Sequence, residues 1–277
     1  YVVIKPGTHT LKIRYWVKDI VTNVEGTITK ILSSTTYDQN KYYNITANLN
    51  VRDYDGDHYY MWDAQDQYWK GHEWNHGGSQ PTLNSSLPNA TTSSDYAQSN
   101  ADSRYYNEGV SSGLLPFDAT HASCKDLPNV NEMTWYAAKG DPRWDADELW
   151  TTMGHLYKGG MWFKKKSVLQ TEGNYNSNTA VDGIDWRTNS RTDGWTLSNT
   201  LPSAADAGKY FYLPALGIYE FGRLVFVGKR GIYWSSSAYP ASYPWDSVHA
   251  YYLSFASDEV GVHGNARRRG NSVGGFE

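Results

Sequence analysis

Tyr251-Tyr-Leu-Ser-Phe255, Ala256-Ser-Asp-Glu259 and Val260-Gly-Val-His263 are the run of residues on which the reading of this chain turns. Tyr251, Leu253 and Phe255 alternate with Tyr252 and Ser254, and Val260 and Val262 alternate with Gly261 and His263. A period of two means strands with one buried and one free face. The polar run between them suits a hairpin loop. Upstream lies a loop rich in Tyr, Ser, Pro and Trp, from Ser237 to His249; downstream lies a basic turn, Gly264-Asn-Ala-Arg-Arg-Arg-Gly270. Loops of Tyr, Trp, Ser and Arg held by a rigid sheet have the composition of a binding surface rather than of a catalytic centre. Aromatic loops also pack down on their own domain, and polar strand faces are commonly just solvated, so both readings stand at this point.

The chain's 277 residues predict one large domain, or a domain plus a fragment. A dispersed net charge of -4 leaves no footprint for nucleic acid or an anionic membrane. With 12 Trp and 23 Tyr, the core is built from rings whose N–H and O–H groups need partners, so buried polar networks are expected. The lone Cys124 excludes an internal disulfide and a multi-cysteine zinc site. No apolar run has the length of a bilayer span. The opening Tyr1-Val-Val-Ile starts mid-pattern, as a processed or trimmed end does, so the lack of a signal segment does not imply a cytoplasmic protein.

Residues 1–54 read as β. Leu11 to Lys18, Thr27 to Leu32 and Ile45 to Arg52 each alternate apolar with polar, and three strands alone are too few for a sandwich. Asp53-Tyr-Asp-Gly-Asp57 breaks the pattern and marks a boundary; its acidic spacing lacks the Gly and Glu positions of a calcium loop, so a solvated turn is expected. Residues 77–104 and 170–208 read as long loops, the second anchored by Trp186 and Trp195. Two helices are expected. Asn131 caps the first, over Glu132–Lys139, which stops at Gly140. In the second, Asp145 and Glu148 have capping-box spacing, Leu149, Trp150, Met153, Leu156 and Tyr157 form one stripe, and Gly159-Gly160 ends it. Met161-Trp-Phe-Lys-Lys-Lys166 reads as a solvated edge, and Tyr210–Gly217 and Leu224–Gly228 read as strands. The sum is an α+β architecture.

His72-Glu-Trp-Asn-His76 spells H-E-x-x-H, which binds zinc when a helix places both His on one face. Here Gly71, Asn75 and Gly77-Gly78 argue against a helix, and Ser79 and Thr82 stand where the extended metalloprotease motif has Gly and His. A structural turn is expected, with a zinc-dependent hydrolase using His72, Glu73 and His76 as the rival reading. No nucleophile elbow, P-loop or dinucleotide fingerprint occurs. Cys124, near His121 and Lys125, reads as a buried or incidental thiol.

Leu213-Pro-Ala, Gly228-Lys-Arg-Gly-Ile-Tyr-Trp-Ser-Ser-Ser237, Ala250-Tyr-Tyr-Leu-Ser-Phe255, Val260-Gly-Val262, Arg267 and Ser272-Val273 together resemble the C-terminal module of fimbrillin-family surface proteins of Gram-negative gut bacteria. That module is similar to C-type lectin folds of the formylglycine-generating-enzyme type. Asn131-Glu-Met-Thr-Trp-Tyr136 and Gly154-His-Leu-Tyr-Lys-Gly-Gly-Met-Trp-Phe163 resemble its helical half, and Lys41-Tyr-Tyr-Asn-Ile-Thr-Ala-Asn-Leu49 resembles the end of a fimbrillin β-domain. The resemblance implies residues 1–55 as the end of a partial fimbrillin-like β-sandwich and 56–277 as a C-type lectin-like ligand-binding domain. It also implies a region about 231–277 of the kind that diversity-generating retroelements vary. By that analogy Trp234, Leu253, Phe255, Val260 and Val262 are scaffold. The binding surface falls on Tyr239, Tyr243, Trp245, Asp246, His249, Tyr252, Ser254, Asp258, His263, Asn265 and Arg268. The paired cysteines of the formylglycine-generating enzymes have no counterpart beside Cys124, so a non-enzymatic protein is implied. The expected protein is extracellular, on the outer membrane or a fimbrium, and displays this surface to a protein or glycan on another cell, phage or host. Pilus subunits are a further partner class and a structural pilus subunit a further rival reading; no cofactor, catalytic metal or nucleic acid is expected.

Overall fold

The computed structural model describes residues 2–45, 48–56, 58–76, 93–110, 117–240 and 248–277. Strands β1 (Gly7–His9), β2 (Lys12–Lys18), β3 (Glu25–Ile31) and β4 (Thr35–Tyr37) form two antiparallel pairs, β1 with β4 and β2 with β3. Along β2, Ile13, Tyr15 and Val17 are half-buried and Lys12, Arg14, Trp16 and Lys18 exposed, as the alternation predicts. The strand expected over residues 45–52 does not form across the described positions 48–51. Asn48 accepts the Asn50 N–H at 2.9 Å, and Asn50 takes a left-handed backbone (φ 49°), so the asparagines make a turn of their own. Only β5 (Arg52–Asp53) follows, and it pairs in parallel with a strand of the second half of the chain.

After β6 (Tyr59–Tyr60), helix α1 spans Val130–Lys139. Its cap is Asn129, two residues before the expected Asn131: the Asn129 side chain accepts the Glu132 N–H at 3.0 Å, and Glu132 accepts the Asn129 N–H at 2.8 Å. Asn131 is instead buried within the first turn. It donates to Asp185 (2.8 Å) and accepts from the Trp186 N–H (2.9 Å), fastening the long loop after residue 170 to the helix.

The second expected helix is a β-hairpin. Strands β7 (Arg143–Thr152) and β8 (His155–Lys164) meet at Met153-Gly154, both in left-handed backbone (φ 50° and 74°) as a two-residue turn of this kind needs. The capping signal at Asp145 is real but serves another end. Its carboxylate accepts the Asp147 and Glu148 N–H groups (both 3.0 Å) at an irregularity where the β7 register shifts. Burial of alternate large side chains (Trp144, Trp150, Tyr157, Met161 and Phe163 all enter the core) then outweighs a stripe of helical spacing. Strand β8 lies between β7 and β10 (Tyr210–Pro214), so Met161-Trp-Phe belongs to a central strand and not to an edge. Lys164, Lys165 and Lys166 pair with Glu172, Glu277 and Glu132. Between these strands come α2 (Lys166–Thr171), which the sequence reading missed, and β9 (Asp193–Trp195).

Strands β11 (Ile218–Glu220), β12 (Arg223–Val225), β13 (Gly231–Ala238), β14 (His249–Phe255), β15 (Val260–Ala266) and β16 (Asn271–Ser272) complete the chain. The largest sheet runs β6-β16-β13-β14-β15-β9, and α1 packs against β13, β14 and β15. The result is a sheet-rich α+β fold with two helices among the described residues. Its main core lies between α1, the two larger sheets and the loop anchored by Trp186. No helix among the described residues is long and apolar enough to cross a membrane.

The N-terminal arm is fastened to the β7–β8 turn. Asp19 accepts the Leu156 N–H (2.9 Å) and faces His155 Nδ1 (3.1 Å), and Thr22 Oγ1 donates to the Leu156 carbonyl (2.8 Å). Burial opposes ionisation of Asp19, but the N–H groups of Thr22, Leu156 and Val21 and the His155 ring outweigh it and hold its pKa down to about 2. A carboxyl depressed in the folded state contributes stability above its unfolded pKa, about 3.9, and loses it as pH falls through the folded value. The arm is therefore expected to stay docked at pH 5 and to detach between about pH 4 and 2. Amide exchange of the Leu156 N–H checks this, and protection unchanged at pH 2 would refute it.

Candidate functional site

Strands β14 and β15 pair in register from His249↔Ala266 to Phe255↔Val260, around the Ala256–Glu259 turn read from the sequence. Tyr251, Leu253, Phe255, Val260 and Val262 are all buried on the α1 side. Trp234 stands on the other face opposite Tyr252, and it too is fully buried. That face was expected to be free, but part of it is covered. Trp62, Val110, Ala119 and Cys124 form a second core over Trp234, Ala238 and Ala250. Trp62 Nε1 donates to the Ser235 carbonyl (2.8 Å), Trp234 Nε1 to the Tyr60 carbonyl (2.8 Å), and the Ala119 N–H to the Ser236 carbonyl (2.7 Å). The three serines after Trp234 occupy a register irregularity in β13, and their backbone receives this cover.

Two side chains to which the sequence reading gave no role hold the cover in place. Asp63, fully buried and left-handed (φ 56°), accepts the N–H groups of Thr120 and His121 (2.9 and 2.7 Å), and also Asn107 Nδ2 (2.8 Å). Arg267, 1 % exposed, lies over the Trp62 ring (4.5 Å) and donates to the carbonyls of Val110 (2.7 Å) and His249 (3.0 Å). Burial pulls its pKa down to about 10, so it remains a cation at neutral pH. Cys124 is buried, as expected; its Sγ accepts the Asp63 N–H at 3.3 Å, and burial pushes the thiol up to about 12. The Asp63 signal was out of reach because its partners lie 44 to 58 positions away in sequence.

The expected surface residues fall in several places. Tyr252 and His263 are register partners, both half-buried, with ring centroids 5.9 Å apart. Asn265 follows on the same face of β15, and burial lowers the His263 pKa. Ser254 shares the face but is only 5 % exposed, a correction to its expected freedom. At the neighbouring register position the His263 ring folds back over Gly261, where a β-carbon would collide with it. Tyr239 lies against Tyr251 (4.7 Å) on the opposite face, and His249 has the strand parity of Tyr251. These two do not join Tyr252. Asp258 is exposed at the hairpin tip, and exposed Arg268 lies over the Phe221 ring (5.4 Å). Tyr243, Trp245 and Asp246 lie outside the described residues.

Around Tyr252 and His263 stand residues that the sequence reading did not single out. Arg230 pairs with Glu259, and Arg269 pairs with Glu220 at 2.6 Å. Phe221 occupies the first position of the two-residue β11–β12 turn at φ 50°, beside Gly222 at φ 73°. That position favours Asn, Asp or Gly, and a ring 54 % exposed recovers little of the strain by packing. Phe221→Asn is expected to stabilise the fold by about 0.5–1 kcal/mol in thermal denaturation. A loss of stability would show that the contact with Arg268 outweighs the strain.

His72 to His76 form successive turns and not a helix. Glu73 accepts the Gly71 N–H (3.1 Å), His76 Nδ1 stands 3.3 Å from Glu73 Oε2, and the His72 ring sits edge-on to Trp69. Among the described residues no group of three or more His, Cys, Asp or Glu is placed to hold a metal ion. Asp55 lines a cleft beside these turns, and Asp57 lies outside the described residues.

Comparison of the chain with protein-family models, with curated proteins and with solved structures returned no match.

Proposed function

We propose that this chain is a non-enzymatic cell-surface binding protein. In this reading a C-type lectin-like module displays the β13–β15 surface to a protein or glycan on another cell, phage or host, and the N-terminal strands are the end of a fimbrillin-like β-domain. The observation that carries the reading is the pairing of Tyr252 with His263. Two partly exposed rings sit side by side on strands whose other face is locked into the core, with Arg230 and Arg269 beside them. Aromatic and arginine side chains on a rigid frame give contact area at little entropic cost and dominate interface energies. The resemblance of the C-terminal stretch to retroelement-varied modules supports the same face.

A screen against glycans and purified surface proteins is the direct test. A ligand that binds this face is expected to lose about 30-fold or more in affinity with Tyr252→Ala plus His263→Ala, roughly 2 kcal/mol, while the melting temperature holds. Undiminished binding by that variant would move the site elsewhere. A different observation favours a role as a pilus subunit. Ile4, Ile13, Tyr15, Tyr37 and Ile45 line a cleft of about 370 Å³ beside sheets of only two strands, and such sheets are marginal when unpartnered.

A further inference from the structure

The turns built by His72-Glu-Trp-Asn-His76 border a cleft of about 320 Å³, far in sequence from the C-terminal stretch. Trp69, Trp74, Gln67, Glu73, Asn75 and Asp55 line it. The Trp74 indole is 37 % exposed and rests on backbone at Gly56 and Gly154, where a β-carbon would stand 3.0 Å from the ring. Glycine at both positions lets the ring approach the backbone closely, and the ring lines the cleft. The polar groups beside it are held in place. The Trp69 N–H bonds to Gln67 Oε1 (2.7 Å), while Gln67 Nε2 (3.4 Å) and the Gly71 N–H (3.1 Å) both reach Glu73 Oε1. With His76 on Oε2 and the Glu73 N–H as a further donor, the carboxylate is firmly oriented, and the Gly71 N–H foremost holds its pKa below the ordinary value.

The geometry points to a binding site for a neutral hexopyranose at this cleft, with Trp74 as the stacking platform and Asn75 and Asp55 as hydroxyl partners beside the oriented Glu73 carboxylate. Three features favour a sugar. An aromatic face takes the C–H side of a pyranose ring by dispersion and hydrophobic contact. Hydroxyls need acceptors and donors together, which carboxylates and amides provide; an organic cation would leave the amides without a task. The volume sits at the small end of ligand sites, about 300–1,000 Å³, which suits one or two rings and not a long chain. Two carboxylates disfavour uronic and sialic acids. This site is independent of the Tyr252–His263 surface.

Saturation-transfer NMR on the whole chain tests it. The probes are methyl β-D-galactopyranoside, methyl α-D-mannopyranoside, N-acetylglucosamine, methyl β-D-glucuronide and tetramethylammonium. At least one neutral pyranose is expected to bind with a Kd of about 1 mM, and the glucuronide not at all. Trp74→Ala is expected to weaken binding tenfold or more at an unchanged melting temperature, whereas Tyr252→Ala leaves it intact. If the alanine variant melts early, Trp74→Phe takes its place, with an expected loss of about threefold. No transfer to any neutral pyranose, transfer that survives the Trp74 change, or binding of tetramethylammonium alone would overturn the assignment.

Discussion

Asp63→Ala is expected to cost about 3 kcal/mol in urea unfolding, with the slope on denaturant unchanged. The carboxylate is fully buried and is the acceptor for two backbone N–H groups, those of Thr120 and His121, as well as for Asn107 and the Thr120 hydroxyl. Hydrogen bonds to a charged acceptor contribute about 1.5–3 kcal/mol each, and alanine leaves both N–H groups without one. The left-handed backbone at Asp63 adds to the cost, since alanine tolerates it less well than Asp or Asn. Asp63→Asn keeps the shape but only one accepting oxygen, so a smaller loss is expected. Hydrogen exchange at Thr120 and His121 locates the effect. A fall of less than about 1 kcal/mol in the alanine variant would show that water replaces the carboxylate and that the network does not pin the cover.

Arg267→Ala is expected to cost about 4 kcal/mol and to loosen the cover itself. The side chain fills space against Trp62, and its guanidinium bridges the Val110 and His249 carbonyls, so one residue ties Trp62 and Val110 to the start of β14. Truncation removes packed methylenes, a cation–π contact and two charge-assisted hydrogen bonds together. Arg267→Lys is expected to rescue little, because a point charge cannot span both carbonyls. Loosening exposes Trp62 and Trp234, both fully buried in the folded chain, so a red shift in tryptophan fluorescence at low denaturant reports it. Native-like emission in the alanine variant would count against this role. The outcome bears on the proposed surface, because Trp234 stands directly opposite Tyr252.

Short-range patterns were read well. The β14–β15 hairpin, its turn, the strands β2 and β3 and the end of α1 at Gly140 all follow from alternation or from a local stop signal. The β7–β8 hairpin shows where such patterns fail: Leu149, Trp150, Met153, Leu156 and Tyr157 have helical spacing, yet Trp150 and Tyr157 are buried as cross-strand partners. The Asp145 side chain makes its bonds at i+2 and i+3 whether it caps a helix or a strand irregularity.

By itself the sequence determined which strand faces turn apolar inward, because alternation of Tyr251, Leu253, Phe255, Val260 and Val262 is a property of neighbours. It also determined a turn at His72–His76, since glycines and asparagine deny the motif a helix. Tertiary structure alone decided that the opposite face of β13 is roofed over. It alone decided that Tyr239 and His249 part from Tyr252, and that Glu73 and Trp74 border a cleft with Asp55. The physical reason is distance along the chain. Asp63 meets Thr120, Trp62 meets Arg267, and Trp74 rests on Gly154; each contact joins residues more than 50 positions apart, which no local period encodes.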